Sequence, residues 1–386
     1  MGSSAFDVIV IGVGSMGSSA CYHLSKHGHK VLGLEQFDIS HEYGSHAGQS
    51  RIIRKAYFEN ADYVPLLERA YQNWKVLEEE TNSKIYHPTG LVYFAPKDHS
   101  LVKGVKQSAS LYHIDLDLFN AAESAQRFPH FHIPQNFETL FEPGAGFVTP
   151  EKAIRLYTDQ ALKRGAKINT HEQVFNWKKD GNSIVVTTDK NIYHCSKLII
   201  SAGAWARKMI PRLSGKLRIT RQFVAWVKPK NWDQFTLQNF PCWLLADDER
   251  PGCYYGFPIL PQPEFGEPKG LKLAHHFPAL ETDPDHVNRQ ATVEDEKNLE
   301  YALNKYLPGC FESFLSHKVC LYTNSPDEDF IIDKLPGHED QVVIATGFSG
   351  HGFKFASVVG EILSDLAIKG TTVLPIEFLS ASRFPS

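Results

Sequence analysis

The sequence predicts a mixed α/β (α+β) fold in which a Rossmann-like dinucleotide-binding domain is interleaved with a second domain built on a mixed sheet. Three observations predict it: a glycine-rich turn joining the first apolar strand to a helix, two further strands with apolar centres at 197–201 and 341–345, and aromatic-rich strand segments between them. The 386 residues hold two to three domains' worth of material at roughly 150 residues each. A hydrophobic share of 42% with 22% charged residues is ordinary for a globular chain and excludes a disordered or fibrous protein. Lys and Arg total 40 against 44 Asp and Glu, so no basic surplus exists to neutralise a nucleic-acid backbone.

Asp7-Val8-Ile9-Val10-Ile11 is a β-branched run of the kind buried on both faces of a parallel sheet. Gly12-Val13-Gly14-Ser15-Met16-Gly17 follows it and opens a helical spacing through Ser18–His27 that stops at Gly28. Lys30–Leu34 is the second strand, and Glu35 stands at its tip. In this setting Gly12 permits the turn, Gly14 lets backbone approach a pyrophosphate, and Gly17 lets helix pack close to strand. Glu35 is placed to accept a ribose diol and disfavours a 2′-phosphate, so FAD or NAD is expected over NADP; the motif does not separate the two. The plain alternative is a tight strand–helix turn without a ligand.

Pro65–Leu77 reads as an amphipathic helix. Thr149-Pro150-Glu151 supplies an N-cap, a proline at the first helical position and an early acid, predicting a helix to about Arg164. Lys167–Asn169 and Ser183–Thr188 are strand-like, and Lys197–Ser201 is a buried strand closed by Ala202-Gly203-Ala204-Trp205. Thr220–Lys228 and Cys253–Phe257 are aromatic-rich strands suited to a substrate-facing sheet. Thr292–Tyr306 is a charged surface helix. Gln341–Ala345 is the last core strand, and Gly347-Phe348-Ser349-Gly350-His351-Gly352 leads it into a helix from about Phe353 to Lys369. That glycine-rich turn points free N–H groups and a positive helix end at whatever lies above, as an anionic reduced flavin edge would require; Lys354 in the first turn makes sense if it faces a bound anion.

Arg51-Ile52-Ile53-Arg54-Lys55 concentrates cations around two isoleucines. A solvated basic face is the plain reading, whereas partial burial would demand an anionic partner, for which a substrate carboxylate would serve. Cys320 taken alone is core packing. The six cysteines (21, 195, 242, 253, 310 and 320) show no CxxC pair and read as reduced thiols. The 18 histidines form no HxxxH or comparable cluster, so no metal is expected. The apolar run Phe6–Val13 is too short for a signal core, and no stretch approaches roughly 18 apolar residues, so a cytoplasmic protein with no membrane segment is expected.

Several ordered motifs together resemble the sarcosine oxidase family of amine-oxidising flavoproteins, which includes N-methyltryptophan oxidases. They are the βαβ start, Gly44-Ser45-His46 with Arg51–Arg54, Tyr254–Pro258, Leu271-Lys272-Leu273 with His276, Cys320–Glu328 and Gly347–Lys354. The resemblance implies the two-domain architecture shared with glucose–methanol–choline and p-hydroxybenzoate hydroxylase-like flavoproteins. On that pattern residues 1–85, 145–215 and 320–386 form the FAD-binding domain, and 86–144 and 216–319 the substrate-binding domain.

The resemblance further implies FAD carried on Cys320 through an 8α-thioether, with Arg54 and Lys354 gripping the substrate carboxylate. Lys272 falls over the flavin N5 edge where dioxygen is reduced, Arg51 lies near it, and Tyr255, His276 and Tyr322 line the substrate cavity. The cofactor set it implies comprises Gly12, Gly14, Ser15, Met16, Gly17 and Glu35, then Ser45, Ser50 and Arg51. Val174, Gly203 and Trp205 follow from the middle of the chain, and Cys320, Gly347, Gly350, Gly352 and Lys354 from its C-terminal part. Where the family's bacterial members usually have His-His-Gly-Asp-Thr, this chain has His46-Ala47-Gly48-Gln49-Ser50 and lacks the second histidine, which in relatives lies close to the flavin ring. Leu260–Pro268 is longer and richer in proline than in relatives. The implied activity is FAD-dependent oxidation of secondary (N-methyl) amino acids such as sarcosine or N-methyltryptophan, giving the primary amino acid, an aldehyde and hydrogen peroxide. The alternative is a flavin dehydrogenase of a proline-, pipecolate- or glycated-amine type that passes electrons to another acceptor. The partners expected are a small secondary amino acid and O2, with no nucleic acid and no membrane, acting on a monomer.

Overall fold

The structure, a computed structural model, describes residues 5–276 and 279–384. Ala5–Ile11 runs parallel to Val31–Leu34 on one side and to Ile192–Ile200 on the other, and Lys167–Asn169 extends the sheet beyond Val31–Leu34. Val8, Ile9 and Val10 are inaccessible to solvent, Val8 and Val10 packed in the core on one face of the sheet and Ile9 in that on the other. Ile192–Ile200 is long enough to pair twice along its second edge. Its first half meets Ser183–Thr188 antiparallel, and its second half meets Val342–Thr346 parallel. Val174–Asp180 and Ile331–Lys334 complete this eight-stranded sheet.

Three helices cover one face: Ser15–Lys26, Pro150–Lys163 and Ala356–Lys369. The closest approach is at Gly360, where a Cβ would sit 2.2 Å from Ser19 Oγ, so only glycine allows that helix pair. The expected helix after the second glycine-rich turn is preceded by a short 3₁₀ turn, Phe353–Phe355. The helix expected over Pro65–Leu77 spans Val64–Thr81.

The second sheet also has eight strands, in the order Phe311–Asn324, Arg218–Pro229, Leu271–His276, Cys253–Phe257, Cys242–Ala246, Leu91–Pro96, Phe137–Glu142 and Asp117–Phe119. It is mixed: Cys242–Ala246 is parallel to Leu91–Pro96, and the other neighbours are antiparallel. Residues 320–324, assigned by the sequence to the first domain, pair here with Arg218–Gln222 as the end of one unbroken strand. A third sheet of Arg51–Ile53, Gly146–Val148 and Tyr86–His87 bridges the two large ones and carries the arginine segment. Among the described residues no helix is long and apolar enough to cross a membrane.

Candidate active site

One continuous cleft runs from the glycine-rich turn to the arginine segment. Gly12, Gly14, Ser15, Met16 and Glu35 line it together with Val174, Gly203 and Trp205, and Arg51, Arg54, Tyr255, His276, Tyr322 and Lys354 line its far end. The three glycines of the first turn differ as their spacing requires. Gly12 has φ +84°, and a Cβ there would lie 2.7 Å from Ser201 O; at Gly17 it would lie 1.8 Å from Gly12 O. Both are packing glycines. At Gly14 nothing lies within 4 Å of a built Cβ, so its freedom serves the cleft. Glu35 is buried, and it accepts Val13 N–H at 2.9 Å and Phe37 N–H at 3.1 Å. Burial pushes its carboxyl up to about 7 against the pull of the Phe37, Val13 and Gln36 N–H groups.

Three polar atoms of residues on the cleft wall, His46 Nε2, Thr323 Oγ1 and Thr346 Oγ1, are buried and find no hydrogen-bond partner among the described residues. Orphaned buried donors and acceptors are costly unless a ligand satisfies them. An elongated cleft with a pyrophosphate-type turn, a ribose-type acid and these orphans fits the FAD that the resemblance implies.

The far end is cationic. Arg54 is 2% exposed, and its guanidinium lies 4.2 Å from the Tyr57 ring centroid and 4.4 Å from that of Phe58. Its Nη2 donates to both carboxylate oxygens of Glu59 at 2.5 Å, and Nη1 donates to Ala56 O at 3.1 Å. The burial read from the two isoleucines is present, and the anionic partner in the structure is Glu59. The sequence reading missed this acid: five residues beyond Arg54 it has no helical or strand register to mark it. Burial raises the Glu59 carboxyl, but Arg54, His351 and Lys354 outweigh it and hold the group down at about 2. Lys354, also buried, donates to His351 O at 2.7 Å. Burial and then the Arg54 charge draw its ammonium down to about 7.

Lys272, Ser50 and Cys320 lie behind the cleft lining. Lys272 is 2% exposed and donates to Gly48 O at 2.6 Å, Ser50 O at 2.7 Å and Ser50 Oγ at 3.0 Å. Burial, then Arg51, pulls its ammonium well below the ordinary lysine range. Arg51 donates to the carbonyls of Ser50, Ser45 and Ala47 at 2.8–2.9 Å, and its Nη2 is 3.6 Å from Cys320 Sγ. Cys320 Sγ is 3.4 Å from Ala47 O. All six cysteines are buried and unpaired. Ser45 Oγ donates to Leu321 O, which fastens the loop to the cysteine strand.

The aromatic wall is packed from two elements. His276 Nδ1 is 3.1 Å from Tyr322 Oη, and the Tyr322 ring lies against Gly350, where a Cβ would sit 2.2 Å from it. Gly347 and Gly352 line the same stretch of cleft. Burial, then the charge of His351, brings His276 down to about 3; burial lowers His351 to about 4. Both imidazoles are therefore neutral at pH 7. The sequence marks His351 only as part of the glycine-rich turn, yet its ring contacts the Tyr57 hydroxyl and lines the cleft.

A family model described as FAD dependent oxidoreductase matches residues 7–366. The chain is 41% identical over 386 residues to monomeric sarcosine oxidase of Bacillus sp. (strain B-0618), covering 99% of this chain and 97% of that protein. It is 35% identical over 382 residues to N-methyl-L-tryptophan oxidase of Salmonella enteritidis PT4 (strain P125109), covering 98% and 99%. Among solved structures, NikD, an unusual amino acid oxidase essential for nikkomycin biosynthesis, superposes with a TM-score of 0.85 at 22% identity over 97% of each chain. L-proline dehydrogenase from P. horikoshii superposes with a TM-score of 0.83 at 23% identity, covering 99% of this chain and 98% of that one. These two likenesses bear on the fold.

Proposed function

This chain belongs to the FAD dependent oxidoreductase family, and from that premise we propose that it oxidises N-alkyl amino acids, returning a primary amino acid, an aldehyde and hydrogen peroxide. The observation that carries the reading is the pair of buried cations, Arg54 and Lys354, on one wall of the cleft beyond the dinucleotide turn. Arg54 is already engaged by a carboxylate, that of Glu59, whose two oxygens both accept from Nη2, and a substrate carboxylate would take the same charged donor.

The bound FAD supplies a two-electron acceptor. Everything else falls to this chain's side chains. Arg54, stacked between two rings and desolvated, binds the substrate carboxylate when Glu59 gives way. Lys354 adds a second positive charge while it is protonated. Anchoring the acid end turns the N-alkyl carbon toward the ring, and such orientation is worth on the order of several kcal/mol. His276 and His351, both neutral, add no competing charge for the carboxylate and leave Arg54 and Lys354 to set its position. Water then hydrolyses the oxidised amine. In this reading Lys272 and Arg51 stabilise negative charge that develops as O2 is reduced, in a site where low dielectric strengthens their effect.

FAD is held by residues from both large sheets. We assign Gly14 and Glu35 to its pyrophosphate and ribose, and Cys320 to covalent attachment. Arg51, 3.6 Å from Cys320 Sγ, stands where charge developing beside the sulfur would be stabilised. The flavin-binding role goes to residues 1–85, 145–215 and 320–386, and the substrate-facing role to 86–144 and 216–319.

The test is a panel of N-methyl and cyclic amino acids, each added anaerobically to the flavin-loaded protein and then exposed to air. Bleaching of the yellow colour followed by stoichiometric peroxide supports an oxidase. Bleaching with no peroxide until a dye acceptor is added would favour a dehydrogenase instead. Amino acid esters that bleach as fast as the free acids would remove Arg54 and Lys354 from their role.

A further inference from the structure

Glu151 opens the helix Pro150–Lys163 against the Gly48–Gln49 turn. Its Oε1 accepts Gly48 N–H at 2.6 Å and Gln49 N–H at 3.1 Å. The peptide groups that donate these hydrogens present their carbonyls on the opposite side. Ala47 O, in the same peptide as Gly48 N–H, accepts from Arg51 Nη2 at 2.8 Å. Gly48 O, in the same peptide as Gln49 N–H, accepts from Lys272 Nζ at 2.6 Å. Each peptide is thus a dipole with a carboxylate at its positive end and a cation at its negative end.

The backbone is bent to make this possible. Gly48 has φ +116° and Gln49, a non-glycine residue, has φ +68°. At Gly48 a Cβ would lie 3.3 Å from Trp226 and 3.6 Å from Lys272 Nζ. Gln49 pins the turn from its far side: its Nε2 donates to Gly266 O at 2.9 Å, and its Oε1 accepts from Trp226 Nε1 at 3.0 Å. A left-handed non-glycine residue costs on the order of 1 kcal/mol or more and persists only where its surroundings hold it. The groups facing the Lys272 ammonium are Arg51, Glu151, Cys320 and Cys242, together with the Trp226 and Phe257 rings. Burial and Arg51 drive that ammonium toward neutrality; Glu151 is the carboxylate among the groups that oppose them.

We propose that Glu151 is a positioning residue: through the Ala47–Gly48 and Gly48–Gln49 peptides it holds Arg51 and Lys272 against the flavin site and keeps the lysine charged. This rests on the reading that Lys272 meets O2 beside the ring. The flavin-loaded Glu151→Gln protein keeps an acceptor oxygen for both N–H groups and removes the charge. Reoxidation by O2 is expected to slow on the order of tenfold, and anaerobic reduction by an N-methyl amino acid to stay within about threefold. The flavin midpoint potential is expected to fall, because the lysine charge is lost with the carboxylate. A rise in potential, which removal of a bystander anion would produce, overturns the proposal. Glu151→Asp retains the charge and is expected to reoxidise within about threefold of the parent; behaviour like that of the Gln variant overturns the proposal as well. In a Lys272→Met background the Gln substitution should cost clearly less reoxidation rate than it costs the parent, the remainder being the share carried by Arg51. Lys272→Met that leaves reoxidation fast would refute the oxygen role itself. Lys272→Met that slows it, with Glu151→Gln additive or without effect, would refute the role of Glu151 alone.

Discussion

Replacing Glu59 by Gln should tighten the binding of carboxylates. In the structure the Arg54 guanidinium spends its shortest hydrogen bonds, both at 2.5 Å, on Glu59. Any incoming carboxylate must displace that partner, so the free affinity of Arg54 is masked by an internal competitor. A hydrogen bond between charged groups contributes about 1.5–3 kcal/mol, and one to a neutral acceptor about 0.5–1.5 kcal/mol. An amide also turns one of its two positions into a donor that Arg54 cannot use. The competitor therefore weakens by about 1.4 kcal/mol or more, which is roughly a tenfold gain in affinity. The assay is titration with propionate, a carboxylate without an amine, followed by the flavin absorption spectrum. The same substitution leaves a buried guanidinium short of a partner, so thermal stability should fall without ligand and recover when propionate is added. Propionate that binds with unchanged or lower affinity would refute the displacement of Glu59.

Lys354, drawn down to about 7 by burial and Arg54, must be protonated to attract a carboxylate. Carboxylate affinity should fall by roughly fiftyfold between pH 7 and pH 9, and Lys354→Met should flatten that profile in an equilibrium titration. The stability linkage has the opposite sign: the folded lysine releases its proton before the unfolded one, so its share of stability rises with pH from about 7 toward the ordinary lysine value. Cys320→Ala should let denatured protein release its flavin to the supernatant, whereas the parent should keep its colour with the precipitate. At Gly14 a Cβ meets no atom of the described residues within 4 Å, so Gly14→Ala should leave apoprotein melting unchanged while weakening FAD binding; Gly17→Ala meets Gly12 O at 1.8 Å and should lower apoprotein melting itself. Calorimetry of the two apoproteins separates these roles.

The first βαβ unit was legible because its determinants are local. A β-branched run, spaced glycines and an acid at the next strand's tip all lie within Asp7–Glu35. Arg54 and Lys354 were legible each as a cation in need of an anion, and as a pair only through the family resemblance, since 300 residues of chain separate them. Other parts depend on contacts that one-dimensional patterns do not carry. The helix Ser100–Tyr112 contains Gly104, which reads as a breaker. In the fold a Cβ there would lie 2.4 Å from Phe58 O, so the glycine lets this helix press on the loop that carries Phe58 and Glu59. The strand Phe311–Asn324 is exposed or half-buried over its first eight residues and buried only from Val319 onward, so its early part lacks the apolar signal of a core strand. Glu151 was legible as a helix-opening acid, and its grip on Gly48 and Gln49 came only with the fold.

The most direct measurement mixes flavin-loaded protein with sarcosine and, separately, with sarcosine methyl ester, without oxygen and then in air. Rapid bleaching by the free acid, little by the ester, and one peroxide per amine consumed on aeration is the result expected of a carboxylate-gripping oxidase. Should every free N-alkyl amino acid leave the flavin oxidised, or acid and ester bleach it equally, a carboxylate held between Arg54 and Lys354 is not what this cleft is built to bind.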